Sequence, residues 1–142
     1  MFVGEYQHAL DEKGRVVLPA SYRSAVAERG FVASLGECIG LWDDAGFERV
    51  TNGWREALRA GDLDLRTFRL LTSSVSEVRL DSAGRITLPR RLLDDLGFRR
   101  EVRIVGLLDR VEVWDDERYR LEHDPAANAP AMAERLNALR IV

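Results

Sequence analysis

A ten-residue pattern occurs twice in this chain, and it limits the possible folds more than any other feature. Residues 8–23 read HALDEKGRVVLPASYR, and residues 78–93 read VRLDSAGRITLPRRLL. At an offset of 70 positions both copies share the spacing LDxxGRxxLP, with six identities in ten positions. A second match joins LWDD at 41–44 to VWDD at 113–116. Repetition of this kind is typical of a duplicated structural unit, so the sequence predicts two tandem modules.

The repeat divides the chain into four segments. We expect a first module over residues 1–50, a helical connector over 51–75, a second module over 76–120 and a C-terminal tail over 121–142. Modules of this size would be only marginally stable alone, because small domains bury a small share of their surface. We therefore expect the two modules to pack on each other or to oligomerise.

Each copy of the pattern predicts a tight β-hairpin. Short apolar or β-branched runs lie on both sides of a turn, at 6–10 and 15–18 in the first copy and at 78–80 and 85–88 in the second. In the turn, aspartate can accept hydrogen bonds from nearby backbone amides and glycine tolerates positive φ. These features place Asp11 and Gly14, and likewise Asp81 and Gly84, as structural supports of the turns.

The remainder of each module alternates between a helix and two strands. Pro19 and Pro89 favour helix starts, which predicts helices over 20–28 and 90–96, with Gly30 and Gly97 as C-terminal caps. A pair of strands follows each helix, 31–35 with 39–42 in the first module and 102–107 with 111–114 in the second. The predicted fold class is α+β, mainly β with short helices.

Helical patterns predict the structure of the connector and the tail. Apolar residues recur at helical spacing from Phe47 to Leu58. A second helix is expected to begin at Asp62 or Asp64. The segment 124–130 resembles a flexible link, followed by a short helix with Met132 and its neighbours at 136 and 139 on one face.

Composition and motifs exclude several functional classes. The single cysteine, Cys38, rules out an internal disulfide framework and a cysteine-rich zinc site. No signal peptide or membrane span is expected, since no apolar run approaches the required length. The sequence contains no phosphate-binding loop, nucleophile elbow or metal-spaced cluster. We therefore predict a reduced cytoplasmic setting, no enzymatic activity, no metal and no cofactor.

The turn cations are the candidate binding groups. Lys13 and Arg15 flank the glycine of the first turn, and Arg85 follows that of the second, where Ala83 replaces the lysine. A β-ribbon can enter the DNA major groove, and the planar fork of arginine matches guanine edges and phosphates. Asp11 could orient the guanidinium, as Asp81 could in the second copy. The alternative is a solvated turn with a structural salt bridge.

The charge distribution argues in both directions. The net charge of −3 is unusual for a nucleic-acid-binding protein. However, residues 78–103 hold seven arginines against four acidic residues. The doublets at 90–91 and 99–100 could contact phosphates or could belong to solvated faces. A polyanion would have to meet a small, focused surface rather than the whole molecule.

The opening MFxGEYxHxLDxKGRxxLPxxYR, the second LDxAGRxxLP and the VxVWD ending resemble the MraZ family of bacterial transcription factors over nearly the whole chain. The resemblance implies tandem AbrB-like modules that form a pseudo-dimeric swapped-hairpin β-barrel, and a ring-shaped homo-oligomer. It implies a nucleoid-associated regulator, usually a repressor, which binds short direct repeats of double-stranded DNA ahead of its own division and cell-wall operon. It places Arg15, Lys13 and Arg85 against the DNA.

Two other functions remain open. An AbrB-like antitoxin or transition-state regulator would also bind DNA, but such proteins usually carry one module in each chain. An oligomeric assembly or recognition module without DNA binding would suit the net negative charge better. An enzyme is the least favoured class, because no catalytic constellation is present.

Overall fold

The computed structural model describes residues 1–141, which form eight strands and six helices. The strands are β1 (Glu5–Ala9), β2 (Arg15–Val17), β3 (Gly30–Ser34), β4 (Ile39–Trp42), β5 (Ser76–Val78), β6 (Arg85–Thr87), β7 (Glu101–Gly106) and β8 (Val111–Asp115). The helices are α1 (Ala20–Arg23), α2 (Asp44–Ala60), α3 (Leu65–Ser73), α4 (Arg90–Asp95), α5 (Asp116–Glu122) and α6 (Pro125–Leu139). The fold is α+β as predicted, but it is not mainly β, because more of residues 1–141 lie in helices than in strands. The helices α2 and α6, with 17 and 15 residues, are not short.

The strands form one large sheet and one small ribbon. The large antiparallel sheet has the order β1-β7-β8-β4-β3-β5, with β1 and β5 at its edges, while β2 and β6 pair only with each other. The pairs β3–β4 and β7–β8 confirm the two strand pairs that the sequence predicts within each module. These two pairs meet in the middle of the sheet, where β4 contacts β8.

The strands on either side of each turn pair with the opposite half of the chain. Strand β1 pairs with β7, β5 pairs with β3, and β2 pairs with β6. The expectation of two tight hairpins, one in each module, is therefore wrong. The reason is that each strand finds a partner in the repeated module that extends the sheet, whereas folding back on its neighbour would leave the sheet edges of β3 and β7 unpaired.

One apolar core joins the two halves. Val16 and Ile86 lie opposite each other in the β2–β6 ribbon, and each is only 1% exposed. They belong to the same buried cluster as Leu18 and Leu88, which follow the two strands. The repeated apolar positions thus converge from both copies, and neither half has a core of its own.

The two helices after the turns differ in length. α4 spans Arg90–Asp95, close to the prediction, but α1 ends at Arg23 instead of reaching 28. The chain turns after Arg23 and buries Val26, which is 1% exposed. Gly30 is consequently the first residue of β3 and not a helix cap.

The connector helices pack beside the first half of the sheet. Phe47 of α2 stacks on Phe31 with ring centroids 4.4 Å apart, and Trp54 meets Trp42 edge-on at 5.9 Å. This contact accounts for the apolar spacing that predicts α2. At the next helix the choice between the two aspartates is resolved, because the Asp64 side chain caps α3 through the amide of residue 67.

The tail is helical over most of its length, so the expected flexible link is wrong. Asp124 caps α6 through the amide of Ala127 at 2.9 Å, and Pro125 occupies the first turn. Several alanines then favour helix strongly enough to accommodate Pro130 inside it. No residue of α6 is buried. Within residues 1–141, every helix is too short or too polar to cross a membrane.

Candidate nucleic-acid interface

The first turn is built around one carboxylate. One oxygen of Asp11 accepts hydrogen bonds from the backbone amides of Lys13 and Arg15, both at 2.9 Å. The other oxygen accepts from the Nε of Arg15 at 2.6 Å. The same side chain therefore folds the turn and fixes the direction of the guanidinium, whose two terminal nitrogens form no hydrogen bond with residues 1–141.

The second turn repeats this geometry almost atom for atom. Asp81 accepts from the amides of Ala83 and Arg85 at 2.9 Å and from the Nε of Arg85 at 2.8 Å. Side-chain exposures agree as well, at 29% for Arg15 and 31% for Arg85. The difference lies at the tip, where exposed Ala83 takes the place of exposed Lys13.

Both turns require glycine for a conformational and a steric reason. Gly14 has a φ of 74° and Gly84 has a φ of 75°, which side chains rarely adopt. A Cβ atom on Gly84 would lie 2.6 Å from the guanidinium carbon of Arg23, and one on Gly14 would lie 3.2 Å from the carbonyl oxygen of Leu88.

The β2–β6 ribbon brings the two turns together. The amide of Leu18 donates to Gly84 O at 3.0 Å, and the amide of Leu88 donates to Gly14 O at 2.9 Å. Each turn is thus anchored to the strand end of the other copy. The Nη1 of Arg85 also lies 3.9 Å from the Asp11 carboxylate. The two D-x-x-x-R motifs, 70 residues apart in the chain, form one surface.

Local hydrogen bonds keep both aspartates ionised. The backbone amide and the guanidinium of Arg15 lower the pKa of Asp11 from its ordinary value, and Arg85 lowers the pKa of Asp81 in the same way. Each arginine consequently keeps a charged partner at neutral pH. The carboxylates would repel phosphate, so the exposed ends of the guanidinium groups are the parts of this surface suited to an anionic or hydrogen-bond-accepting ligand.

Two further arginines cover the turn glycines from the opposite modules. Arg90, at the start of α4, donates from Nη2 to Glu12 O of the first turn at 3.2 Å. Arg23, at the end of α1, donates from Nε to Leu18 O and lies against Gly84. The sequence left open whether Arg90 contacts phosphate or belongs to a solvated face. No sequence signal indicates that Arg23 lies beside a turn.

The structure places the other sequence candidates elsewhere. Arg91 reaches Ser73 O at 2.7 Å, away from the turns, and Arg99 forms an ion pair with Asp115 at 2.8 Å. Cys38 is buried, and this burial raises the pKa of its thiol far above the ordinary value. Within residues 1–141, no three histidine, cysteine or acidic side chains are arranged to hold a metal ion.

Proteins similar to this chain are transcriptional regulators. A protein of Acetivibrio thermocellus is 33% identical over 144 residues, covering 99% of this chain and 100% of that protein. Another, from Symbiobacterium thermophilum, is 40% identical over 120 residues, covering 82% and 86% of the two chains. A third, from Thermomicrobium roseum, is 32% identical over 142 residues, covering 98% and 99%. All three are named transcriptional regulator MraZ.

A family model gives the more specific result. The model described as MraZ protein, antitoxin-like, matches residues 1–65 and again 71–138. The two matched regions correspond to the tandem arrangement that the repeat predicts. This chain belongs to the MraZ family.

Proposed function

We propose that this transcriptional regulator binds double-stranded DNA in a sequence-specific manner through the paired turns, with Arg15, Lys13 and Arg85 as the contacting residues. The single observation that carries the proposal is the duplicated geometry in which an aspartate directs an arginine outward. Both copies also lie on one surface, where the β2–β6 ribbon joins them. The two turns lie together because the strands beside each turn pair with strands of the opposite half of the chain.

Each turn holds its arginine side chain in one orientation before DNA binds. The aspartate holds Nε and leaves the terminal guanidinium nitrogens for two hydrogen bonds to a guanine edge or to phosphate oxygens. Because the side chain is already ordered, less conformational entropy is lost on binding. Lys13 adds a phosphate contact at the first turn that Ala83 does not supply at the second.

Several protomers are needed for tight binding. A protein with a net charge of −3 and one small cationic surface cannot make the many phosphate contacts of a strong monomeric binder. We propose that protomers assemble as a ring on short direct repeats ahead of the protein's own division and cell-wall operon, and that they repress this operon. Linked protomers on successive repeats gain affinity through effective concentration.

The same proposal includes the pseudo-dimeric swapped-hairpin barrel, with modules over 1–50 and 76–120, a connector over 51–75 and a tail over 121–142. Its support is the exchange of strands between the two halves. The site of action would be the nucleoid in the cytoplasm.

The deciding experiment measures binding to the DNA upstream of the protein's own gene. Wild type and Arg15→Ala would be titrated by fluorescence anisotropy at about 50 and 200 mM salt, a range over which phosphate-dependent binding changes strongly. We expect salt-sensitive binding by wild type and a loss of about 5- to 150-fold in the variant, since one bidentate pair is worth about 1–3 kcal/mol.

Arg59→Ala is the matched control. Arg59 is an exposed arginine of α2 whose ion pair is with Glu56 in the same helix, and it lies outside the turns. It should bind as wild type does. Light scattering on the same samples would report the assembly state, and anisotropy titrations with DNA that carries one or several repeats would show whether affinity follows the number of repeats.

A second candidate is an oligomeric recognition module without DNA binding. The net charge of −3 favours it. So does an apolar groove of about 480 Å³ outside the turns, lined in part by Leu35, Leu70 and Leu92. If wild type binds neither its upstream DNA nor random duplex, this candidate replaces the regulator proposal.

A further inference from the structure

A groove lies beside the first turn, and its charge differs from that of the matching surface beside the second. It measures about 730 Å³ and is open to solvent. We call it the lateral groove; its lining residues are Leu10, Asp11, Glu12, Arg90, Phe98, Arg99 and Arg100. Its position next to Lys13 and Arg15 places it where DNA held by the first turn would continue.

Two of its arginines have no carboxylate partner within residues 1–141. Arg90 contacts only the carbonyl oxygen of Glu12, and no ion pair involves Arg100, whose backbone carbonyl accepts from the amide of Leu10 at 2.8 Å. The third, Arg99, is bound to Asp115 and Glu117 and is unavailable. Asp11 is paired with Arg15, so Arg90 and Arg100 face one remaining lining carboxylate, Glu12, and leave a local excess of one positive charge.

The second turn lacks this pair of cations. By the repeat offset of 70, Arg90 corresponds to Ala20. In the sheet, Val102 pairs with His8 and Gly30 pairs with Val78. Because residues 8 and 78 are equivalent in the repeat, residues 102 and 30 are equivalent too. Two positions earlier, residue 28 is therefore the equivalent of Arg100. That residue is Glu28, an exposed acid. Arg23 lies against Gly84. Arg79 also reaches this surface, where it donates to Glu28 O at 2.8 Å, but it is paired with the Glu77 carboxylate at 3.1 Å.

We infer that the lateral groove is a phosphate-binding site for DNA flanking the base contacts, and that it sets a single orientation of each protomer on its site. The inference rests on the proposed DNA binding. Two equivalent turns related by an approximate two-fold axis would read an inverted repeat equally well in both directions. Arg90 and Arg100 on one side only make one direction electrostatically favourable, as direct repeats require.

The first test is the salt dependence of binding. Removing two phosphate contacts lowers the slope of log K against log[salt] by about 1.8, from about 0.9 for each contact. We expect that decrease in the Arg90→Gln/Arg100→Gln double variant. Arg91→Gln is the control, because Arg91 follows Arg90 in α4 but points to Ser73 O. An unchanged slope in the double variant would overturn the phosphate site.

The second test reads orientation directly. A DNA-cleaving iron chelate would be attached to Ser82→Cys, an exposed position in the second turn that lies outside the lateral groove. Cys38 is buried, so the introduced thiol is labelled selectively, and labelled wild type gives the background. The probe is the DNA upstream of the protein's own gene. A fixed orientation predicts that the chelate at residue 82 cleaves the DNA at the same flank of every repeat.

The outcomes separate this inference from the function on which it rests. The Arg90→Gln/Arg100→Gln double variant should still bind DNA, but the attached chelate should cleave both flanks of each repeat more equally. Equal cutting by wild type, or an asymmetry that the double variant retains, would overturn the inference and leave DNA binding intact. Absence of binding by wild type would overturn both.

Discussion

At the scale of single residues, the two turns show how one side chain can determine both conformation and chemistry. Asp11 and Asp81 each make two bonds to backbone amides and one to a guanidinium. The fold of the turns and the proposed binding surface therefore depend on the same atoms. Substitutions here should affect stability and ligand binding together, whereas substitutions of the arginines should affect mainly binding.

Gly84→Ala should destabilise the protein. The left-handed conformation costs an alanine about 1–2 kcal/mol, and its Cβ would displace Arg23. Gly53→Ala is the control, because Gly53 lies inside α2 with no atom near the added methyl group. That change should stabilise by about 0.5–1 kcal/mol. Urea unfolding measures both, and equal effects would contradict our account of the turn.

The lowered pKa of Asp115 predicts that the free energy of unfolding depends on pH. Burial alone would raise its pKa, but hydrogen bonds from Arg99 and from the amide of Arg118 hold the pKa below the ordinary value of 3.8. A pKa that is lowered in the folded state means that the carboxylate stabilises the fold at pH values above its ordinary pKa. This contribution is lost as pH falls through the folded-state value.

Asp115→Asn should therefore be less stable than wild type by about 1–3 kcal/mol at pH 7. The difference in melting temperature should shrink as pH falls below the ordinary value of 3.8, because the unfolded chain takes up the proton there while the folded carboxylate takes it up only at a lower pH. Glu117→Gln serves as the comparison, since this exposed partner of Arg99 should change stability by less than about 1 kcal/mol. A constant difference across the pH range would exclude the assigned role.

At the scale of elements, the ends of the helices depend on a few side-chain caps. α2, α3, α5 and α6 each begin after an aspartate whose carboxylate accepts from an amide in the first turn. α1 and α4 begin after proline without a side-chain cap. The uncapped helices are the short ones, and both are held by buried residues such as Tyr22 and Leu93.

Asp64→Ala should lower the free energy of unfolding by about 1 kcal/mol, the usual cost of removing an N-terminal cap. The Asp64 carboxylate accepts from both the amide and the hydroxyl of Thr67. Asp62→Ala, two positions earlier, removes an exposed acid that makes no side-chain hydrogen bond within residues 1–141. Chemical denaturation should separate the two variants, and an equal loss would show that α3 does not depend on this cap.

At the scale of the whole molecule, strand exchange makes the two halves one cooperative unit. The pairs β1–β7, β3–β5 and β2–β6 all join residues before 75 to residues after it, and the buried cluster includes both copies. Duplication of a module has thus produced a single core shared between both copies of the repeat.

Fragments 1–75 and 76–142 should therefore be largely unfolded when separate, since each lacks the partners of its own strands. Mixed in equal amounts, they should recover β-structure in circular dichroism and a cooperative melting transition. A single fragment that unfolds cooperatively as a monomer would contradict this picture. The intact chain supplies the reference transition.

Local chemistry in the sequence determined the turns, the starts of several helices and the central strand pairs. LDxxGRxxLP specified the turns because aspartate, glycine and proline act within a few residues, and the repeat and its family resemblance identified the transcriptional regulator. Only the tertiary structure decided which strands pair, since each strand had an equivalent partner in both halves. It also placed Arg23 and Arg90 over the opposite turns, and it placed Arg100 beside the first turn and Glu28 at the equivalent position beside the second. Those positions depend on the sheet register between distant segments and not on neighbouring residues.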